Sequence, residues 1–153
     1  MEPRATGRSK RQTSYEFYKK LFKLTIGGGV AFWAITIAFS LLPMMAEFRA
    51  ALSIPYVEGA LVEPLLGGMI IACCVSYFLL RCFDKIPTKN PILKSVILSF
   101  VALGIVFILL GVAASRTSDA LHVLLIGVML NVPRFLFVGI VIGYLYKGLY
   151  GSA

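Results

Sequence analysis

The chain has 153 residues, of which 59% are hydrophobic and 14% charged, and its formal net charge is +8. With a mean hydropathy of +0.88, this composition lies outside the averages for soluble domains. The length leaves no room for a separate soluble catalytic domain beside a membrane domain. The basic residues are not arranged on a module of the kind that binds nucleic acid, so we expect no nucleic-acid partner.

Four apolar stretches are long enough to cross the hydrocarbon core of a bilayer, which takes about 20 helical residues. They cover residues 24–42, 64–80, 92–114 and 121–146. Pro43 ends the first stretch, and Pro64 opens the second after Glu63. Asn90 and Pro91 open the third as a capping residue followed by proline at the first helical position. Since none alternates in polarity with a period of two, the sequence predicts an all-α integral membrane bundle of four transmembrane helices.

The predicted membrane domain covers residues 21–148, between a basic tail of residues 1–20 and a short C-terminal tail of residues 149–153. Most Lys and Arg residues fall in the N-terminal tail and in the loop between the second and third spans. The other two loops hold only Arg49 and Arg116. Because short loops rich in Lys and Arg stay in the cytoplasm, we predict a multi-pass protein of the cell membrane with both termini cytoplasmic.

Three lysines stand directly before the first apolar stretch. They are Lys19, Lys20 and Lys23. Basic residues at this position attract anionic lipid headgroups, and the same residues also act simply as determinants of topology. The sequence leaves both interpretations open.

The sequence lacks the residue patterns that the common membrane enzymes require. A transmembrane haem with two imidazole ligands needs two histidines, and the chain has only His122. Cys73, Cys74 and Cys82 contain no C-x-x-C pair, and we expect them to be small packing residues. No two of His, Asp or Glu recur at helical spacing within a span, as a metal site would need. We therefore expect no enzymatic activity, no metal and no cofactor.

Small residues recur in every span and predict faces where helices approach closely. The glycines selected as candidate packing positions are Gly27, Gly28, Gly67, Gly68, Gly139 and Gly143. In lipid, glycines at four-residue spacing let two helix backbones come into contact. We expect these glycines to pack inside the bundle, with an interface to a partner or second copy as the alternative for Gly139 and Gly143.

Residues 61–70 and 121–130 resemble each other without gaps. The matched pairs are Leu61 with Leu121, Leu65 with Leu125, Gly67 with Gly127, and Met69 with Met129. The likeness raises the hypothesis that the bundle is a duplicated two-helix hairpin, an arrangement that often places a binding site between the repeats.

Arg134 stands near the middle of the fourth span, where a lipid-facing helix carries apolar residues. Pro133 beside it removes a backbone donor and is expected to kink or break the helix. Asn131 is then placed to cap the half-helix that begins at Pro133. A helix N-terminus and a guanidinium side by side within the membrane favour an anion.

Three hypotheses account for this intramembrane polar site. Arg134 forms a structural salt bridge with Glu63 at the start of the second span, or it holds the carboxylate or phosphate of a substrate or lipid together with Asn131. In the third hypothesis, it pairs with an acidic residue of another membrane subunit. An intramembrane arginine is a functional candidate in all three.

The predicted function is that of a small non-enzymatic membrane protein, a structural, accessory or assembly subunit of a membrane complex. Its expected partners are membrane lipids and either another membrane subunit or a second copy of itself. The alternative is a small-solute or lipid transporter, or a channel-like protein, with an anion site at Arg134.

Overall fold

A computed structural model describes residues 5–43, 59–116 and 118–150 of the chain. The elements are α1 (Ala5–Ser40), α2 (Gly59–Cys82), a 3-10 turn (Phe83–Lys85), α3 (Pro91–Ala114) and α4 (Ala120–Tyr150). All four α-helices are long and apolar enough to cross a membrane. Within these ranges there is no strand, and the predicted all-α class with four membrane-spanning helices is confirmed.

Two helices begin earlier than the apolar pattern predicted. α1 begins at Ala5, inside the predicted basic tail, and α2 begins five residues before Pro64. Apolarity marks the part of a helix that fits the bilayer, whereas Lys, Arg and Glu propagate a helix well outside it. Pro64 therefore lies inside the second turn of α2, where its missing N–H removes a single bond to the carbonyl of Ala60.

The start of α3 agrees with its sequence signals. α3 begins at Pro91, and the side-chain oxygen of Asn90 accepts a hydrogen bond of 3.1 Å from the backbone N–H of Ile92. The carbonyl of Asn90 accepts another, also 3.1 Å, from the N–H of Lys94. Asn90 is thus the capping residue, because it satisfies a donor that the first turn leaves without an intrahelical partner.

The helices form an antiparallel bundle in which α1 packs against α2 and α4, and α3 packs against α4. The main core is a cluster of buried side chains from all four helices: Leu24, Phe32, Ala72, Val75, Leu79, Leu103, Phe135, Val138 and Ile142. The rings of Phe32 and Phe135 meet edge to face at 6.0 Å. This contact joins the first helix to the last across the middle of the bundle.

One end of the bundle, called the basic end below, collects most of the described charges. The N-terminal part of α1, the end of α2, the start of α3 and the end of α4 all meet there. Eight basic side chains lie at this end: Lys19, Lys20, Lys23, Arg81, Lys85, Lys89, Lys94 and Lys147. Among the side chains that the structure describes, Glu16 and Asp84 are the acidic residues at the same end.

The α1–α2 pair is held by close contacts at glycines. A methyl carbon built on Gly28 would lie 2.9 Å from the Cβ of Ala72 and 2.8 Å from the Ile142 side chain. One built on Gly68 would lie 2.9 Å from the Cβ of Phe32. Both distances are shorter than real contacts allow, so these positions need glycine for the helices to approach as they do.

The α3–α4 pair is held in the same way by Gly139 and Gly143. A methyl carbon on Gly143 would lie 2.5 Å from the Cα of Ile92, and one on Gly139 would lie 2.9 Å from the Cα of Val96. The obstructing atoms are backbone atoms, which cannot rotate away. The face of α4 for which a partner was the alternative is therefore occupied by α3 of the same chain.

The two glycines matched by the internal likeness, Gly67 and Gly127, differ in their surroundings. Gly67 has no atom within 4 Å of a built methyl carbon, whereas Gly127 packs against the Leu110 side chain. Met69 packs against Gly29 in the α1–α2 pair, whereas Met129 is 65% exposed. These two matched pairs thus do not share an environment, and a side chain at position 67 would face open space.

The helices α3 and α4 extend further than helix α1 at the end opposite the basic end. Gly28 lies against Ile142, and extending this antiparallel register to Ser40 reaches about residue 130 of α4. The first turns of α4 therefore extend roughly 15 Å past the end of α1, at 1.5 Å per residue. We call this part, residues 107–114 and 120–128, the α3–α4 tip. Its apolar side chains include Ile108 and Leu121, which are 70% and 72% exposed.

Candidate functional site

Arg134 lies in the middle of α4, about 21 Å by helical rise from Ala120. Its side chain is half-buried, and its guanidinium carbon lies 5.8 Å from the centroid of the Phe39 ring, near the end of α1. A cation at this distance from an aromatic face is attracted by the ring quadrupole. Arg134 is therefore positioned at the seam between α1 and α4, on the side where α1 ends.

The predicted break at Pro133 is not present, because α4 continues without interruption from Ala120 to Tyr150. Asn131 also does not cap a half-helix. Its side-chain nitrogen donates a hydrogen bond of 2.8 Å to the carbonyl of Gly127, one turn earlier in the same helix. The polar site is thus a side-chain cluster on an intact helix.

Glu63, the predicted partner of Arg134, lies in the second turn of α2, and its side chain is outside the part that the structure describes. Gly68 packs against Phe32, whose ring meets that of Phe135. By helical rise from these contacts, position 63 is about 6 Å along the bundle from the level of Arg134. The two positions have similar depth, and their pairing stays a prediction.

A chain of lysine and ring contacts at the basic end was not predicted. Lys94 is only 4% exposed, and its ammonium donates to the carbonyl of Phe83 and lies 3.7 Å from the Phe83 ring centroid. Phe83 stacks on Tyr146 at 5.0 Å, and Tyr146 contacts Tyr150 at 5.7 Å. Lys20 then lies 4.6 Å from the Tyr150 ring. This chain connects α1, α4, the 3-10 turn and α3.

Lys94 stands one turn into α3, after the basic residues Arg81, Lys85 and Lys89, and unlike these three it is buried. Its burial depends on where the 3-10 turn places the Phe83 carbonyl, which follows the last turn of α2. A cation close to the last carbonyls of a helix is favoured by the helix dipole. Lys94 therefore closes the end of α2 while belonging to α3.

Four buried hydroxyls in the interior make no hydrogen bond among the described residues. They belong to Thr25, Ser76, Ser95 and Ser99. By contrast, Thr36 donates to the Phe32 carbonyl at 2.7 Å, the usual arrangement for a hydroxyl in a membrane helix. Ser99 instead faces Gly139, with its Oγ 2.8 Å from where a methyl carbon on Gly139 would lie. The Ser99 hydroxyl thus lies within the tightly packed α3–α4 contact.

The three lysines predicted to meet lipid headgroups differ in their surroundings. Lys19 and Lys23 are exposed, whereas Lys20 is half-buried and contacts Tyr150. Lys19 and Lys23 form no hydrogen bond, ion pair or ring contact within the described part of the chain. Their ammonium groups are therefore available to a ligand outside the bundle.

The three cysteines are free thiols. In the ranges that the structure describes, no group of three His, Cys, Asp or Glu side chains is placed to hold a metal ion. No protein family, curated protein or solved structure matches this chain.

Proposed function

We propose that this chain is a non-enzymatic subunit of a membrane protein complex, with a structural or assembly role. The observation that carries the proposal is the outward face of α3. α3 is the most apolar of the four spans and has the smallest buried share. Its contact with another membrane subunit would give this face a partner that the bundle itself does not provide.

The outward face of α3 includes two open glycines, Gly104 and Gly111, seven residues apart. Neither has any atom within 4 Å of a built methyl carbon. Ile97 and Ile108 lie on the same face and are exposed. Glycine gains nothing from lipid contact, whereas it lets a second helix approach to backbone distance. The open pair favours a helix of another subunit as the neighbour of α3.

The proposed orientation places the basic end in the cytoplasm. The support is the number of Lys and Arg side chains collected there, since the K/R distribution sets the orientation of membrane proteins. The α3 face then faces the bilayer over its whole length, and the α3–α4 tip lies toward the noncytoplasmic side.

Native electrophoresis tests the subunit proposal directly. We expect the tagged full chain, extracted from its native membrane in mild detergent, to migrate in a complex that contains a second polypeptide, identified by mass spectrometry. Replacing Gly104 and Gly111 together with leucine should remove that polypeptide. Gly67→Leu is the matched control, because Gly67 is also open but belongs to α2. Recovery of this chain alone, as a monomer or with itself, would contradict the proposal.

The second candidate function is transport of a small anion or lipid, and the half-buried Arg134 at mid-depth favours it. Vesicles that contain the purified chain should then pass a carboxylate or phosphate anion faster than protein-free vesicles, and Arg134→Gln should abolish the difference. Arg116→Gln, at an exposed position outside the spans, is the control. Equal flux with and without the protein would exclude this candidate.

A further inference from the structure

We infer that the first helix carries a binding site for one anionic phospholipid, with the lipid phosphate between Lys19 and Lys23. The inference is independent of the subunit proposal, since it concerns α1 and not α3. These two lysines are one helical turn apart and lie on the same side of α1. Both are exposed, and neither is engaged by another described residue.

Along this side of α1 the exposed side chains change from charged to aromatic and then to aliphatic, in the order of the headgroup and acyl chains of a phospholipid. Tyr15 and Phe22, which are 67% and 64% exposed, flank Lys19 at spacings of four and three residues. Ile26 and Val30 follow toward the middle of the bilayer and are also exposed. Aromatic rings favour the headgroup level and aliphatic side chains the acyl chains. The charge and apolar pattern therefore match one lipid molecule lying along the helix.

The other lysines of the basic end do not combine these features. Lys94 is buried against Phe83, and Lys20 is engaged by the Tyr150 ring. Lys85 and Lys89 are exposed, but they belong to the connection between α2 and α3 and not to one continuous α-helix, as Lys19 and Lys23 do. Lys147 is also exposed, and Tyr144 and Ile140 lie above it on the same face of α4, but it is a single lysine. Among the described lysines, the combination of two ammonium groups one turn apart with a continuous apolar face is specific to Lys19 and Lys23.

The single tryptophan of the chain offers a reporter for this site. Trp33 lies seven residues after Ile26, on the same side of α1, and about 15 Å beyond Lys23 by helical rise. Its indole is therefore at acyl-chain depth above the proposed phosphate. A bound phospholipid that carries bromine atoms near the middle of its acyl chains would quench the Trp33 fluorescence.

The experiment uses the full chain in bilayers of zwitterionic lipid, into which a dibrominated anionic phospholipid is titrated. We expect half-maximal quenching at a much lower mole fraction than with the dibrominated zwitterionic lipid. Each lysine near an anionic surface shifts such an association about fivefold. The variant K19Q/K23Q should therefore lose roughly 25-fold of the preference, and added salt should weaken it as well.

The control K85Q/K89Q removes the same charge from the same end of the bundle and should keep the preference. Equal loss in both double variants would overturn the site, because the effect would then belong to the whole basic surface. Equal quenching of the natural sequence by the two brominated lipids would overturn it as well. Unchanged helical content, measured by circular dichroism, verifies that K19Q/K23Q is folded.

Discussion

Substitution of Gly143 by alanine tests the packing of α3 against α4. The added methyl carbon would lie 2.5 Å from the Cα of Ile92, 3.1 Å from the carbonyl oxygen of Pro91 and 3.2 Å from the nitrogen of Ile92. All three are backbone atoms, so no rotation of a side chain relieves the overlap. The two helices must separate at this level, or the substitution must distort one of them.

The size of the effect follows from these distances. Carbon atoms pack best at about 3.5–4.0 Å, so α3 must move away by about 1 Å. Gaps of 0.5–1 Å forfeit a quarter to a half of the dispersion energy of neighbouring contacts, and overpacking in cores costs about 1–3 kcal/mol. We expect Gly143→Ala to lower the free energy of unfolding by that amount.

Gly104→Ala on α3 is the matched control. It adds the same methyl group where no atom lies within 4 Å, and alanine has a higher helix propensity than glycine by up to about 1 kcal/mol. We therefore expect the control to be neutral or slightly stabilising. Unfolding in mixed micelles with increasing sodium dodecyl sulfate, followed by circular dichroism, measures both variants. A Gly143→Ala variant at least as stable as the natural sequence would refute the packing argument.

Three further sets of substitutions test other contacts by the same unfolding measurement. Asn90→Ala should destabilise the protein by about 0.5–2 kcal/mol because it removes the cap of α3, whereas Asn90→Asp should retain most of the stability; equal losses would contradict the capping role. Lys94→Met should cost about 1–3 kcal/mol because it leaves the half-buried Phe83 carbonyl without its donor, and an unchanged midpoint would argue against this contact. Arg134→Gln and Glu63→Gln should be coupled by more than about 0.5 kcal/mol if the two side chains pair, whereas additive losses would exclude the pair.

The features that could be predicted from sequence have local causes. The start of α3 is determined by Asn90 and Pro91, whose capping geometry and fixed backbone angle act within one turn. The number of spans follows from the length of each apolar stretch. Pro64 marks where the apolar part of α2 begins, whereas the helix itself also includes the residues from Gly59 onward.

The features that could not be predicted depend on how the helices are rotated about their axes. In a soluble protein, polarity identifies the buried face of a helix. In these spans nearly every face is apolar, so adjacent glycines give no indication of which one is in contact. Gly68 packs against Phe32, while its neighbour Gly67 faces open space. The burial of Lys94 could not be predicted either, because its acceptor, the Phe83 carbonyl, belongs to the 3-10 turn and not to α3.

The close contacts within each pair of helices bear on the order of assembly during synthesis. α1 meets α2 through Gly28 and Gly68, and α3 meets α4 through Gly139 and Gly143. In both pairs the partners are consecutive helices. Since translation runs from the N-terminus to the C-terminus, each pair can pack together soon after its second helix enters the membrane. The contact between Phe32 and Phe135 has to wait for α4. Union of two preformed hairpins is therefore the final step, and it requires the last fifth of the chain.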